Sequence, residues 1–210
     1  MSHFAVTVLL PPEEAISRDA AEKAIEGRLL PYSEHLAVAP YESTCSCCDD
    51  PGEVPDPACE DCAGTGRYIT TVNPESKWDW WQIGGRFTGF WVADYDPEKD
   101  PRNQEPCYNC NGPNARYEQA SCLTCNGEGI LPKWPTQWRP FENDILPVSE
   151  IISKAITYAL VTPDGKWFER EPDIYDDELY DAAYETWEAE YRRLLAGYGD
   201  FIAVIVDCHI

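Results

Sequence analysis

The sequence predicts an α+β protein, with a mainly antiparallel sheet, two helices packed on one of its faces, and cysteine-rich excursions inserted into that core. Three observations carry this. Residues 3–10, HFAVTVLL, and 200–208, DFIAVIVDC, are apolar at both alternating sets of positions, as in strands covered on both sides, so the two ends of the chain belong to one core. Two stretches combine helical spacing with matching end signals. Several short extended runs are punctuated by Pro, Gly, Asn and Asp.

Taken in order, the first strand leads to a helix from about Arg18 to Leu29. Ser17 is its N-cap, Ala21, Ala24, Ile25 and Leu29 form its buried stripe, and Pro31 ends it by disfavouring helix in the residue before. Extended pieces follow at 36–41 (LAVAPY), 67–72 (RYITTV) and 86–95 (RFTGFWVADY). Next comes a hairpin of ITYALV and KWFER about Pro163, Asp164 and Gly165. A second helix is expected from Asp177 to about Ala196. Its stripe is Tyr180, Ala183, Tyr184, Trp187, Tyr191, Leu194 and Leu195, its first turn is acidic, and Gly197 stands where a left-handed cap belongs. The order strand, helix, strands, hairpin, helix, strand is loosely ferredoxin-like.

The chain of 210 residues has a formal net charge of −22. That balance argues against binding the nucleic-acid backbone or an anionic membrane surface, and points to partners with a basic surface. The opening MSHFAVTVLLPP lacks the basic start of a signal peptide, and no stretch is apolar for long enough to span a bilayer, so a cytoplasmic protein is expected. In a reducing compartment the ten cysteines would not serve disulfides.

Eight of those cysteines form CxxC pairs: Cys45 with Cys48, Cys59 with Cys62, Cys107 with Cys110, and Cys122 with Cys125. Each pair turns two thiolates onto one ion, and two pairs complete a closed tetrahedral zinc site. Glycine after the second cysteine lets backbone N–H groups turn toward sulfur, and both CEDCAGTG (59–66) and CLTCNGEG (122–129) supply it in full. Two structural zinc ions are therefore expected, and eight thiolates with two zinc dications take the charge to about −26. Cys47 and Cys208 are left over, Cys208 as a small buried hydrophobe in its strand. The organisation read from the chain is a first core part at 1–44, knuckles one and two at 45–66, core strands with a Trp-rich turn at 67–106, knuckles three and four at 107–129, and the remaining core at 130–210.

These repeats resemble the cysteine-rich CxxCxGxG region of DnaJ-type chaperones. Asp50 and Asn114 stand where that pattern has glycine, and no HPD tripeptide of a J-domain exists in the chain. The resemblance implies nested pairing, the first knuckle with the fourth and the second with the third, whereas local pairing closes shorter loops. Pairing of RYITTV with RFTGFWVADY would bring the middle knuckles together and favours nesting, in one two-zinc arm. MSHF, LLPYSEHL and NPESKWDWWQIGGRF resemble a bacteriophage-associated family of no established activity.

The segment KWDWWQIGGRF admits two readings. In one the Trp rings pack beneath the sheet, with Asp79 pairing Arg86 or Lys77. In the other Lys77, Trp78, Asp79, Trp80, Trp81, Gly84, Gly85 and Arg86 form a pocket that stacks a flat ligand and meets its phosphate or carboxylate. IGGR carries neither GxGxxG nor P-loop spacing, and no nucleophile motif or HExxH is visible. If the first and last strands pair antiparallel, His3 and His209 meet at one end of the sheet near Cys208. The functional reading adopted is a non-enzymatic, zinc-stabilised acidic protein that binds a protein partner. The alternatives are a nucleotide-like ligand-binding protein or enzyme built on Trp78–Arg86, and a DNA mimic that inhibits a nucleic-acid enzyme.

Overall fold

A computed structural model describes residues 3–48, 55–133, 142–171 and 177–210. It divides into two compact units, one formed by Met1–Arg28 with Trp80–Ile210 and the other by Leu29–Asp79. The first is the α+β core.

Its sheet is built on the two terminal strands. β1 (His3–Leu10) pairs antiparallel with β10 (Ile202–His209) along their whole length, from His3 opposite His209 to Leu10 opposite Ile202. The other edge of β10 is shared end to end by β7 (Ile145–Pro147) and β4 (Trp80–Ile83), both antiparallel to it. On its far side β1 pairs in parallel with β8 (Ala159–Val161), which turns through Gly165 into β9 (Trp167–Glu169). The strand order is therefore β4-β10-β1-β8-β9. The expected hairpin is present, and the class is the one expected. The ferredoxin-like arrangement is corrected by the β1–β8 pair. A split βαβ unit inserts another strand between parallel partners, and here β8 lies directly beside β1.

The α1 helix (Arg18–Leu29) starts as expected, with the Ser17 hydroxyl accepting from the Ala20 N–H. Its buried residues are Ala21, Ile25 and Leu29. Arg18 donates to the Ile83 carbonyl in β4 and Arg28 to the Pro163 carbonyl in the β8–β9 turn, so the helix runs across the sheet. The α3 helix (Asp177–Ala196) packs Trp187, Tyr191, Leu194 and Leu195 against Ala5 and Leu9 of β1 and Ala203 and Ile205 of β10. The short α2 helix (Val148–Ile151) adds Val148 and Ile151 to the same core. The buried stripe of α1 is not part of it, and Val6, Val8 and Leu10, which point away from α3, are also fully buried. Both faces are covered, as the doubly apolar strands require, so the two long helices do not share one core.

Inside the α3 core Thr7, Thr157, Tyr191 and Trp187 satisfy one another, while the Trp91 indole N–H has no partner among the described residues. Thr7 bonds the hydroxyls of Thr157 and Tyr191 at 2.9 and 2.7 Å, and the Trp187 indole donates to the Thr157 carbonyl. Tyr184 is exposed instead of joining the stripe, and the Tyr180 side chain lies outside the described part. Gly197 is not left-handed. The helix ends in tight turns, with Gly197 and Tyr198 N–H groups donating to Leu194 and Leu195.

Two expected strands are displaced. The ladder of the 36–41 stretch begins only at Tyr41, after Pro40, which has no N–H to give. The 86–95 stretch is not a strand but a series of tight turns, Phe87 to Gly84, Thr88 to Gly85, Phe90 to Phe87 and Val92 to Gly89. The reason lies in two buried carboxylates. Asp144 accepts from the Thr88 hydroxyl and the Gly89 N–H at 2.6 and 2.7 Å, and Asp207 accepts from the Arg86 N–H at 2.9 Å. Gly84 and Gly85, both at positive φ, bring the chain down onto them.

A Cβ on Gly85 would lie 2.4 Å from Asp207 Oδ2 and 2.6 Å from Asp207 Cβ. Gly85→Ala should therefore destabilise the protein by about 2–4 kcal/mol through backbone strain and overpacking. Gly27→Ala, where a Cβ meets nothing within 4 Å on α1, should stabilise by about 0.5–1 kcal/mol. Urea unfolding of both variants tests this, and equal midpoints would contradict it.

Candidate metal centres

Two short ribbons carry the cysteines. In the Leu29–Asp79 unit, β2 (Tyr41–Thr44) pairs antiparallel with β3 (Arg67–Thr70), placing Thr44 opposite Arg67. The next residue, Cys45, donates its N–H to the Gly66 carbonyl at 2.9 Å. In the core unit, β5 (Gln104–Pro106) pairs with β6 (Ile130–Pro132), and the Cys107 N–H donates to Gly129 at the same 2.9 Å. Each ribbon thus closes a loop holding two knuckles.

The sulfurs converge within each loop. Cys45, Cys48, Cys59 and Cys62 form one cluster, and Cys107, Cys110, Cys122 and Cys125 the other. Across the knuckles, Sγ–Sγ distances are 3.7 Å for Cys45–Cys59, 3.7 Å for Cys48–Cys62, 3.8 Å for Cys107–Cys122 and 3.5 Å for Cys110–Cys125. A tetrahedron with Zn–S bonds of about 2.3 Å has edges of about 3.8 Å, so both clusters fit a zinc ion. Four thiolates fill the coordination sphere, and the ions these sites fit are structural.

Nested pairing is thereby corrected to local pairing, and the single two-zinc arm to two separate centres. RYITTV finds its partner in β2, at the entry of its own loop, while 86–95 forms no strand to pair with it. Short loops close at the smaller entropic cost.

The two complete repeats share one backbone path. Ala63, Gly64 and Gly66 after Cys62, and Asn126, Gly127 and Gly129 after Cys125, all have positive φ. In the second repeat this turns the Gly129 N–H onto Cys125 Sγ at 3.2 Å. Without metal, burial pushes the Cys45 thiol up to about 12 and raises Cys110 further. At Cys62 and Cys122 burial also acts upward, but hydrogen bonds outweigh it. N–H groups of Gly66 and Gly64 with neighbouring thiols bring Cys62 down to about 7, and those of Cys125 and Thr124 help bring Cys122 to about 6. Each cluster thus contains a sulfur held toward its thiolate form, the form that ligates metal.

Of the remaining cysteines, Cys47 has its Sγ within 4.8 Å of Cys45 Sγ and of an Asp61 carboxylate oxygen, beside the first centre, and Cys208 stands apart. Cys47 is exposed, with Sγ 3.6 Å from Asp61 Oδ2, and Cys208 is fully buried, which pushes its thiol well up.

The Trp-rich segment is divided. Lys77, Trp78 and Asp79 belong to the smaller unit, and Trp80, Trp81, Gly84, Gly85 and Arg86 to the core. Trp78 is buried, its indole donating to the Leu29 carbonyl at 3.1 Å, and its own carbonyl accepts from the Glu34 N–H. Asn73 donates to the carbonyls of Pro31 and Ser33, so the LLPYSEHL and NPESKW stretches meet here. Trp80 and Trp81 are half-buried on β4, opposite His209 and Cys208. The Arg86 side chain is exposed and makes no ion pair among the described residues; its backbone N–H, not its guanidinium, is held by a carboxylate.

His3 stands opposite His209 as expected, and the pair is joined by a residue not singled out from the sequence, Asp207, whose carboxylate is fully buried and bonds His3 Nδ1 at 2.8 Å. An Asp inside an otherwise apolar strand was the signal available for it.

The fold and these clusters define an α+β protein with two tetracysteine centres suited to structural zinc. Compared with known proteins, the chain matches no family model, no curated protein and no solved structure. Among the described residues no helix is long and apolar enough to cross a membrane.

Local pairing is checked by zinc content. The native chain should carry two zinc ions, and Cys48→Ser, Cys59→Ser and their double variant should each carry one, because both cysteines serve the same ion. A double variant without zinc would restore the nested arrangement. Chelation should raise amide exchange in 41–70 and 104–132 while 3–10 and 202–209 stay protected, since the terminal strands bury their own apolar faces. Equal deprotection of the terminal strands would show that the core depends on metal.

Proposed function

We propose that this is a non-enzymatic, zinc-stabilised acidic protein that binds a protein partner through its zinc ribbons. One observation carries the reading. Of 11 exposed large hydrophobic residues among those described, six lie on the two ribbons and the loops they close: Tyr68, Ile69, Tyr108, Tyr117, Leu123 and Ile130. Tyr108 and Leu123 occupy the x positions of CxxC knuckles, and Leu123 is 91% exposed. In a knuckle whose sulfurs turn inward to an ion, these positions turn outward, and the ion supplies the rigidity that burial would otherwise provide. Aromatic and aliphatic side chains on a rigid support are suited to anchor in a partner's pockets. The charge of −22 selects a partner whose rim is basic. The bacteriophage-associated resemblance supports a host protein as that partner.

Site-specific crosslinking tests this. A photo-reactive residue replaces Leu123 in one zinc-loaded variant and the exposed Lys23 in another, and each is irradiated in bacterial lysate. The position 123 variant should form a discrete protein adduct that native protein competes away, that Leu123→Ser protein does not, and that fades as salt rises. Identical adducts at both positions, or competition by Leu123→Ser, would refute the reading.

A further inference from the structure

At the end of the sheet where β1 begins and β10 finishes, three strands place polar and aromatic side chains on one face. His3 and Ala5 alternate with the residues facing away from α3, as do Asp207 and His209, so all four project on the side of the α3 core. Trp80 and Gln82 of β4 stand opposite His209 and Asp207 on that same side. None of these residues is needed by the cysteine centres.

The imidazoles of His3 and His209 have centroids 4.9 Å apart. With a metal–nitrogen bond of about 2.0–2.1 Å, a ring centroid lies about 3.2 Å from the ion, and two imidazoles at 90–109° have centroids about 4.5–5.2 Å apart. The observed spacing falls in that window. Asp207 supplies what a ligating histidine needs behind it. Its fully buried carboxylate accepts from the Arg86 N–H at 2.9 Å and lies 2.8 Å from His3 Nδ1. A carboxylate accepts, so Nδ1 carries the proton and Nε2 keeps the lone pair that a metal takes. Each imidazole has two nitrogens, so a hydrogen bond at one leaves the other for an ion. The Trp80 ring walls the pair at 6.0 Å from His3 and 6.4 Å from His209, and the strongly acidic chain raises the local concentration of cations.

We propose that His3 and His209 form a third metal position, an open site for a borderline divalent transition metal such as zinc or nickel, with Asp207 holding His3 in its ligating tautomer. Two imidazoles suit this class of ion and leave coordination positions for water or an exogenous ligand, unlike the closed cysteine centres.

The test is titration of nickel into the chain already loaded with two zinc ions, followed by calorimetry and tryptophan emission. One further equivalent should bind and quench emission, and Trp80→Phe should bind it with a smaller quench. His3→Gln and His209→Gln should each weaken binding about tenfold or more, and Asp207→Asn by about 10–100-fold. No saturable equivalent beyond the two zinc ions overturns the proposal, as does undiminished binding in the double His variant. Loss in His3→Gln with native affinity in His209→Gln also overturns it, because that pattern belongs to a chelate of His3 with the backbone preceding it. A thiolate-to-nickel charge-transfer band would place the ion at cysteine and overturn it as well.

Discussion

Asp144 and Asp207 are fully buried in the core unit, and the turn from Gly84 to Gly89 makes this tolerable. A buried carboxylate is costly unless hydrogen bonds replace its water, and here backbone N–H groups and a threonine hydroxyl do so. This requirement sets much else. It draws 85–89 out of any ladder and ends β4 at Ile83, after which the Gly84 N–H makes a last bond to the Ile205 carbonyl of β10. It demands glycine where the chain passes within contact of both side chains. By binding Arg86 to β10 and Thr88 and Gly89 to the residue before β7, it ties the turn segment to two strands of the sheet. Asp207 then has one oxygen left for His3, so the order of that sheet end follows from the same buried charge.

The metal centres obey a different constraint, the length of chain each must close. Cys45 and Cys107 directly follow β2 and β5, and Cys62 and Cys125 precede β3 and β6 by one glycine-containing turn, so each ribbon brings its two knuckles together. The ribbon makes the loop short before any ion binds, and the ion then fixes a segment with almost no apolar interior. In the second centre the buried cluster consists of Cys107, Cys122 and Cys125, with Cys110 and Leu131 packed beside it. Such a module cannot hold itself by hydrophobic burial. Its large side chains, Tyr108, Tyr117 and Leu123, are outside, which is the inverse of the core unit and the physical ground on which recognition by the ribbons is proposed.

The amino-acid sequence by itself determined the elements whose causes are local or periodic. Doubly apolar runs require strands covered on both faces, and His3 did fall opposite His209. Ser17 and the spacing from Ala21 to Leu29 set α1, and the bounds Asp177–Ala196 of α3 were legible in its stripe and charges. Ligand identity was equally legible, because the CxxC turn and its glycines form a site within a few residues. Only the tertiary structure decided which knuckles share an ion, since the choice depends on which strands pair, and β3 pairs with β2. It likewise decided that β8 lies parallel to β1, and that the segment expected as a strand at 86–95 is bent into turns. No local pattern around Gly84 reveals the two aspartates beneath it. Asp144 and Asp207 lie far along the chain, and the desolvation they impose exists only once the sheet has assembled over them.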